Sequence, residues 1–332
     1  MAPFYRAVDV KSSPSNDAVY RIFAGDIDPQ WLVGAVPNGG YVLALIVEAA
    51  IQYQAASTSG HKDPIHVTAH YLRTTSVAHF EVRVRTLKTG RGFTNLTAEL
   101  IQQGNLIVTT HLIFGINTPT PPPHLTLVPP SPYARRIPLH THPSTANPQR
   151  MREAWVFQPY MKLASDPTIH ARNHPESISR TDSTTVGGGG LEWGAWFEFV
   201  DEGDRITNPS LAFLVDIFVN LPSLLPKSER QGLRSSWFPT MVLAIEFKAP
   251  IPRPSDVYAS RTVGLYSSGR FLNDGRHDAY VEVWSAPCNI GEGVDTEGWR
   301  EKQVCLATAT QMAYIVPMEV NMAKGKKGSA KL

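Results

Sequence analysis

At 332 residues, with 42% hydrophobic and 18% charged residues and a formal net charge of +2, the chain holds apolar material for about two ordinary domains and too little charge to be disordered. Lys324, Lys326, Lys327 and Lys331 crowd the last nine residues, but no stretch of the body interleaves basic and aromatic residues, which excludes a nucleic-acid footprint. Two cysteines, Cys288 and Cys305, make no disulfide framework and no zinc pattern, and neither an apolar signal core nor a run of about 18 apolar residues occurs, so a soluble intracellular protein is expected.

In chain order, the first predicted element is a helix over residues 39–56, apolar on nearly every side, with Asn38 as its N-cap and Gly39-Gly40 at its opening. Four strands follow at 65–73, 79–87, 93–102 and 105–115, alternating apolar and polar residues, with a turn at Gly90-Arg91-Gly92. One buried helix followed by a run of antiparallel strands points to an α+β sheet wrapped around its helix, because a βαβ order would alternate. Between 117 and 148 prolines are dense, from Pro119 to Pro148. They deny donors to any ladder and read as a linker or surface crossing.

Beyond it the pattern recurs. A strand at 193–200 is followed by a short apolar helix over 208–220 and by strands near 237–248, 257–266, 276–285 and 303–315, with Gly269-Arg270 where Gly90-Arg91 stood. The strand opening His66 to Thr75 corresponds to Met241 to Pro250, and Val108 to Phe114 to Leu306 to Met312. The chain reads as a duplicated unit whose two sheets join edge to edge. The domains predicted are 1–117 and 151–317, joined by the linker 118–150 and followed by a flexible basic tail, 318–332.

A glycine-opened helix wrapped by an antiparallel sheet, twice in one chain, resembles the double-hotdog acyl-CoA thioesterases, including the bacterial type II and peroxisomal enzymes. The residues that carry the resemblance are Val36-Pro-Asn-Gly-Gly-Tyr41, Ala69-His-Tyr-Leu-Arg73, Gly90-Arg91 and Gln102-Gln103-Gly104, a set found in thioesterase-like proteins of fungi. In that family a helix Asp, a strand Thr and a late-strand Gln of the second half hold the attacking water. The resemblance carries these roles to Asp216, Thr240 and Gln311, although the strand after Thr240 lacks the His that often follows in the bacterial enzymes.

The residues suit that chemistry. Asp216 lies among Leu214, Val215, Ile217 and Phe218, and burial raises a carboxyl pKa toward the range useful to a general base. Gln311 is a long amide in a strand of small and apolar residues, where a buried amide answers a buried partner. Thr240 is also an ordinary strand residue. Backbone N–H groups at Gly39, Gly40 and Tyr41 are the expected oxyanion or substrate donors, favoured by the helix dipole, although the glycines equally suit close packing. Glu48 is a secondary candidate: the acid of single-hotdog enzymes falls seven positions past the second glycine, here Val47, which places Glu48 about 100° away around the helix. His66, His70 and His111 accompany no nucleophile motif, glycines 187–190 open a strand and cradle no phosphate, and the reaction calls for no metal or redox cofactor. Arg73, Arg91, Lys248 and Arg270 read as rim charges, some within reach of substrate phosphates, and Trp193, Trp196, Phe213, Phe218 and Trp237 are candidates to line an acyl tunnel.

The last three residues, Ala330-Lys331-Leu332, are a variant of the Ser-Lys-Leu address read by the peroxisomal import receptor, so a peroxisomal matrix location is expected. Expected partners are an acyl-CoA substrate and that receptor, with no nucleic acid and no membrane span; a homo-oligomer is compatible. Three function classes remain: a thioester hydrolase, a non-hydrolytic enzyme of fungal specialised metabolism performing an elimination or cyclisation, and a non-catalytic acyl-binding protein. Release of free CoA from acyl-CoA separates the first from the others.

Overall fold

The computed structural model describes residues 2–14, 19–118, 125–150, 154–178, 189–230 and 232–329. The N-terminal unit opens with helix α1 (Phe4–Ala7), strands β1 (Lys11–Ser13) and β2 (Arg21–Asp26), and a small hairpin of β3 (Leu32–Val33) and β4 (Val36–Pro37). Helix α2 (Gly39–Ala55) follows directly. Its start is set by Asn38, whose side chain accepts the Tyr41 N–H at 2.9 Å, and no glycine or proline interrupts it after Gly40. Strands β5 (Asp63–Tyr71), β6 (His79–Thr89), β7 (Thr94–Gln102) and β8 (Asn105–Gly115) complete the unit. Their inward residues, such as Phe80, Val82, Leu96, Ala98, Leu112 and Phe114, are fully buried in the same core as Leu43 to Val47 of α2. An all-round apolar helix is stable here because the sheet covers it.

The second unit comprises β9 (Met161–Ser165), α3 (Pro167–Arg172), β10 (Leu191–Phe199), α4 (Asn208–Leu214), α5 (Leu221–Leu224), β11 (Ser236–Trp237), β12 (Thr240–Phe247), β13 (Thr262–Gly269), β14 (Leu272–Asn273), β15 (Arg276–Ser285), α6 (Trp299–Lys302), β16 (Cys305–Tyr314), β17 (Val316–Pro317) and α7 (Met318–Ser329). One 13-stranded antiparallel sheet spans both units in the order β1-β2-β6-β7-β8-β5-β12-β16-β15-β13-β10-β9, with β14 beside β15. The units join where β5 pairs with β12, His66 to His70 against Glu246 to Val242. This is the edge-to-edge α+β double hotdog expected from the repeat. The join pairs two strand edges that would otherwise be open. The units also meet where α2 packs against α4.

Three segments differ from the sequence expectation. The helix expected over 208–220 ends at Leu214, and the N–H groups of Asp216 and Ile217 bond three residues back, to Phe213 O at 3.0 Å and Leu214 O at 3.2 Å. This tight last turn carries Asp216 out of the helix toward the first turn of α2. The proline-rich segment is not a free linker throughout. Ile137 and Leu139 are fully buried against β10 and β13, where Gly194 and Gly264 leave room for them. Proline blocks ladder pairing but leaves apolar side chains free to pack.

The third difference is the tail, expected to be flexible from Met318 onward but helical over Met318–Ser329. Asn321 explains its docking: fully buried, it accepts the Ala35 N–H and donates to Val33 O, both at 2.9 Å, so α7 is pinned to the β3–β4 hairpin. Ala330, Lys331 and Leu332 lie outside the described residues. No helix among the described residues is long and apolar enough to cross a membrane.

Candidate active site

The first turn of α2, the last turn after α4, the start of β12 and the middle of β16 converge on one carboxylate. Gln311 Nε2 donates to Asp216 Oδ1 at 2.5 Å and to Thr240 Oγ1 at 2.7 Å, and the Thr240 hydroxyl donates to Asp216 Oδ1 at 3.3 Å. On the other oxygen, Oδ2 receives the Gly40 N–H at 2.8 Å and Asn38 Nδ2 at 3.1 Å. Each half therefore contributes: the second supplies the carboxylate, hydroxyl and amide, the first a helix N-terminus. Thr240 and Gln311 come together because β12 and β16 are neighbours, with Leu243 opposite Gln311 and a bulge between Thr240 and Val242.

Burial raises the Asp216 pKa from the ordinary 3.8 to about 6, opposed by the hydrogen bonds from Gly40, Gln311, Thr240 and Asn38. Other buried carboxylates are satisfied differently. Asp166 caps α3 and accepts the N–H groups of His140 and Thr141, Asp204 accepts those of Phe4 and Tyr5, Glu198 meets Lys162, and Glu282 meets Arg135. Among the described residues Asp216 forms no ion pair, and it faces a cleft. That cleft, about 280 Å³, is walled by Val36, Tyr71, Trp155, Phe218, Trp237, Phe238, Met241 and Met318 besides the site residues. Arg73, Thr74, Thr75, Asn220 and Ser236 also line it, so apolar and polar groups share the wall, and a concave site with convergent polar groups suits a small molecule.

Of the other sequence candidates, some fall elsewhere. The N–H groups of Gly40 and Tyr41 are not open to a substrate: the first is held by Asp216 and the second by Asn38 Oδ1. Tyr41 is fully buried, its hydroxyl donating to Ala7 O and accepting from Asp28 N–H, and it does not line the cleft. Of the first-turn donors considered, Gly39 N–H alone is engaged by neither Asp216 nor Asn38, and Gly39 does line the cleft. Glu48 sits eight residues beyond Gly40, about 12 Å along the helix, where it accepts from Gln52 Nε2 at 2.8 Å. It is a local partner of its own helix.

His66, His70 and His111 alternate with the buried Val67, Ala69 and Leu112 and so lie on the outer face of the sheet. Gly189 and Gly190 lead into β10, while Gly187 and Gly188 lie outside the described residues. Burial pushes Cys288 up to about 11 and Cys305 up to about 12, so neither is a thiolate near neutral pH. Of the tunnel candidates only Phe218 and Trp237 line the cleft, whereas Trp193, Trp196 and Phe213 are core. Of the rim charges only Arg73 lines it, with Nη1 on Leu106 O.

Sequence reasoning assigned Asn38 the cap of α2 and missed its second contact. The side chain does both, Oδ1 capping α2 and Nδ2 holding Asp216. Tyr71, also missed, lines the cleft and donates to Gly39 O at 2.8 Å. The available signal was their membership of the two quoted first-half motifs.

Gly40 is required by contact. A Cβ there would stand 2.6 Å from Ala212 O, 2.6 Å from the Asp216 Cβ and 2.9 Å from Phe213 Cα. Gly40→Ala is therefore expected to force α2 and α4 apart, costing about 1–3 kcal/mol of stability and lowering turnover, read by urea unfolding and by rate on the same sample. Unchanged stability and rate would show that the two helices are free to move.

Fold and site together define a double hotdog with a polar cluster at the junction of its halves. Comparison with known proteins makes the assignment specific. The acyl-CoA thioesterase N-terminal domain matches residues 27–115 and the acyl-CoA thioesterase C-terminal domain matches residues 138–287, so the chain belongs to the acyl-CoA thioesterase family. Asp216 and Thr240 fall within the second match, and Gln311 lies beyond it.

The chain is 25% identical over 365 aligned positions to the thioesterase-like protein TwmA of Talaromyces wortmannii, covering 94% of this chain and 92% of that one. Among solved structures it superposes on a thioesterase II candidate from Thermobifida fusca YX with a TM-score of 0.67 at 22% identity, covering 95% and 99% of the two chains. It also superposes on a conserved hot dog-fold protein of unknown function from Alicyclobacillus acidocaldarius, with a TM-score of 0.63 at 18% identity, covering 94% and 97%. At those identities the structures speak for the fold.

Proposed function

We propose that the protein hydrolyses an acyl-CoA thioester to the free acid and CoA, with Asp216 as general base. The observation that carries this is the position of Asp216 in a cleft walled by both apolar and polar side chains, its pKa raised to about 6, with Thr240 and Gln311 bonded to it. A carboxylate offers about four lone-pair positions, and four donors already approach Asp216. Water therefore reaches it by displacing one of them. The longest contact, the 3.3 Å bond from Thr240, is the one that yields. The Thr240 hydroxyl, still accepting from Gln311, then turns its proton to the water oxygen while the water donates to Oδ1.

Attack on the thioester carbonyl transfers the water proton to Asp216 and places negative charge on the carbonyl oxygen. Gly39 N–H, at the positive end of α2, is the donor available to that oxygen. Collapse of the intermediate breaks the C–S bond, and the proton on Asp216 passes to the departing thiolate.

A panel of acyl-CoAs with a thiol-reactive dye tests this directly. CoA release by the purified wild-type protein is expected for at least one chain length; inertness across short, medium, long and aromatic acyl groups overturns it. The peroxisomal address is part of the same proposal and is supported by the Ala330-Lys331-Leu332 terminus. A fluorescent fusion at the N-terminus should enter peroxisomes and lose that location when Leu332 is deleted.

A further inference from the structure

Beyond Phe238 and Met318 the cleft opens into a second depression of about 510 Å³, which shares Ala154, Ser236, Phe238 and Met318 with it. Its charged wall comes from the segment between α5 and β11 and presents Lys227, Arg230 and Arg234 beside Ser223 and Ser235. No carboxylate lines it among the described residues, and Glu229, in the same segment, is not part of the wall. Lys227 and Arg234 are exposed, while Arg230 is half-buried and oriented by a 3.1 Å bond from Nη1 to Ser223 O.

Arg135, Arg136, Arg172 and Arg261 each meet a glutamate, whereas none of Lys227, Arg230 and Arg234 forms an ion pair among the described residues. Three cations held around one hollow repel one another, and an anion of several charges relieves that repulsion.

We propose that Lys227, Arg230 and Arg234 bind the phosphates of coenzyme A, and that the pantetheine arm runs past Phe238 and Met318 to bring the thioester to Asp216. This deepens the thioesterase reading and rests on it for the direction of the arm. The chemistry matches at both ends: a diphosphate and a 3′-phosphate supply several negative charges to the trio, and a slender, weakly polar arm suits the passage between an aromatic ring and a thioether. Arginine forks and a lysine ammonium recognise phosphate by charge-assisted hydrogen bonds.

Calorimetric titration of CoA into the full chain tests the proposal without requiring turnover. Replacing Lys227, Arg230 and Arg234 together by Gln should raise the CoA Kd by at least about tenfold, and replacing them by Glu should raise it further. Wild-type affinity should weaken from about 50 to about 500 mM salt, and the Gln variant should lose most of that dependence. 3′,5′-ADP should compete with CoA on the wild type, and pantetheine, which lacks phosphate, should bind both proteins alike. A melting temperature within a few degrees of wild type checks that the variants are folded.

An unchanged CoA affinity in the Glu variant, or no measurable CoA binding by the wild type, overturns the proposal. Equal loss of CoA and pantetheine binding overturns it too, because it marks a general collapse of the cleft. If CoA binding were unaltered but hydrolysis of a thioester on a carrier protein fell, the trio would serve that protein instead and the proposal would be wrong. A protein that binds CoA through these side chains yet hydrolyses no thioester leaves this inference standing and removes the hydrolase reading.

Discussion

Asp216→Asn is expected to lower the turnover of acyl-CoA by roughly 10²–10⁴-fold, the range spanned by loss of a positioned general base. The substitution is nearly isosteric, so the loss is chemical. An amide has no basicity near neutral pH, and its NH2 group must face two of the donors that now converge on the carboxylate, Gly40 N–H and Asn38 Nδ2 on one side or Gln311 Nε2 and Thr240 on the other. The measurement is free CoA released per enzyme at saturating acyl-CoA, with CoA affinity determined on the same variant. A variant that binds CoA as wild type does and still turns over within threefold of it would show that Asp216 is not the base.

The second large effect is on pH. With Asp216 titrating at about 6, kcat/KM is expected to rise about tenfold per pH unit below that value and to level off above it, because the ionised form is the active one. Each neighbouring donor stabilises the ionised form, so removing one raises the pKa. Gln311→Leu should therefore move the inflection upward, by about one unit if the charge-assisted bond contributes its usual 1.5 kcal/mol or more. Asn38→Ala should act in the same direction while also uncapping α2. An inflection that stays put in both variants would detach the profile from Asp216.

The same group predicts a stability trend of opposite appearance. Its folded pKa lies above its ordinary 3.8, so the protonated form is favoured in the folded state. The contribution is fully present below about pH 4 and is lost as the pH rises through about 6. The melting temperature of the wild type relative to Asp216→Asn should accordingly fall across that window.

Much of this was legible along the chain, and for identifiable reasons. Strand alternation such as Phe80-Glu-Val-Arg-Val-Arg85 is local, set by which face of the sheet is wet, so β6 and its neighbours could be placed within a few residues. Gln311 was conspicuous because a long amide among Ala309, Thr310 and Ala313 needs a partner. Asn38 was half legible. Its capping role depends on the residues next to it, but its bond to Asp216 spans 178 positions and has no local trace. The oxyanion assignment to Gly40 and Tyr41 erred for the same reason: whether an N–H at a helix start is free depends on what is docked against it.

By itself the sequence determined the repeat, the glycine-opened helix and the run of strands in each half, since each depends on periodicity, residue type or motif order, while its resemblance to the family pointed to Asp216, Thr240 and Gln311. Only the tertiary structure decided that Gly40 must be glycine for α2 to meet α4, that its N–H serves Asp216, that α7 is pinned through Asn321, and that Lys227, Arg230 and Arg234 share a hollow beside the cleft. The first three depend on how the N-terminal unit meets the rest of the chain, and the last on how the segment before β11 folds beside Ala154 and Met318. Contacts between distant segments follow from the docking of whole surfaces, which no short window of sequence contains.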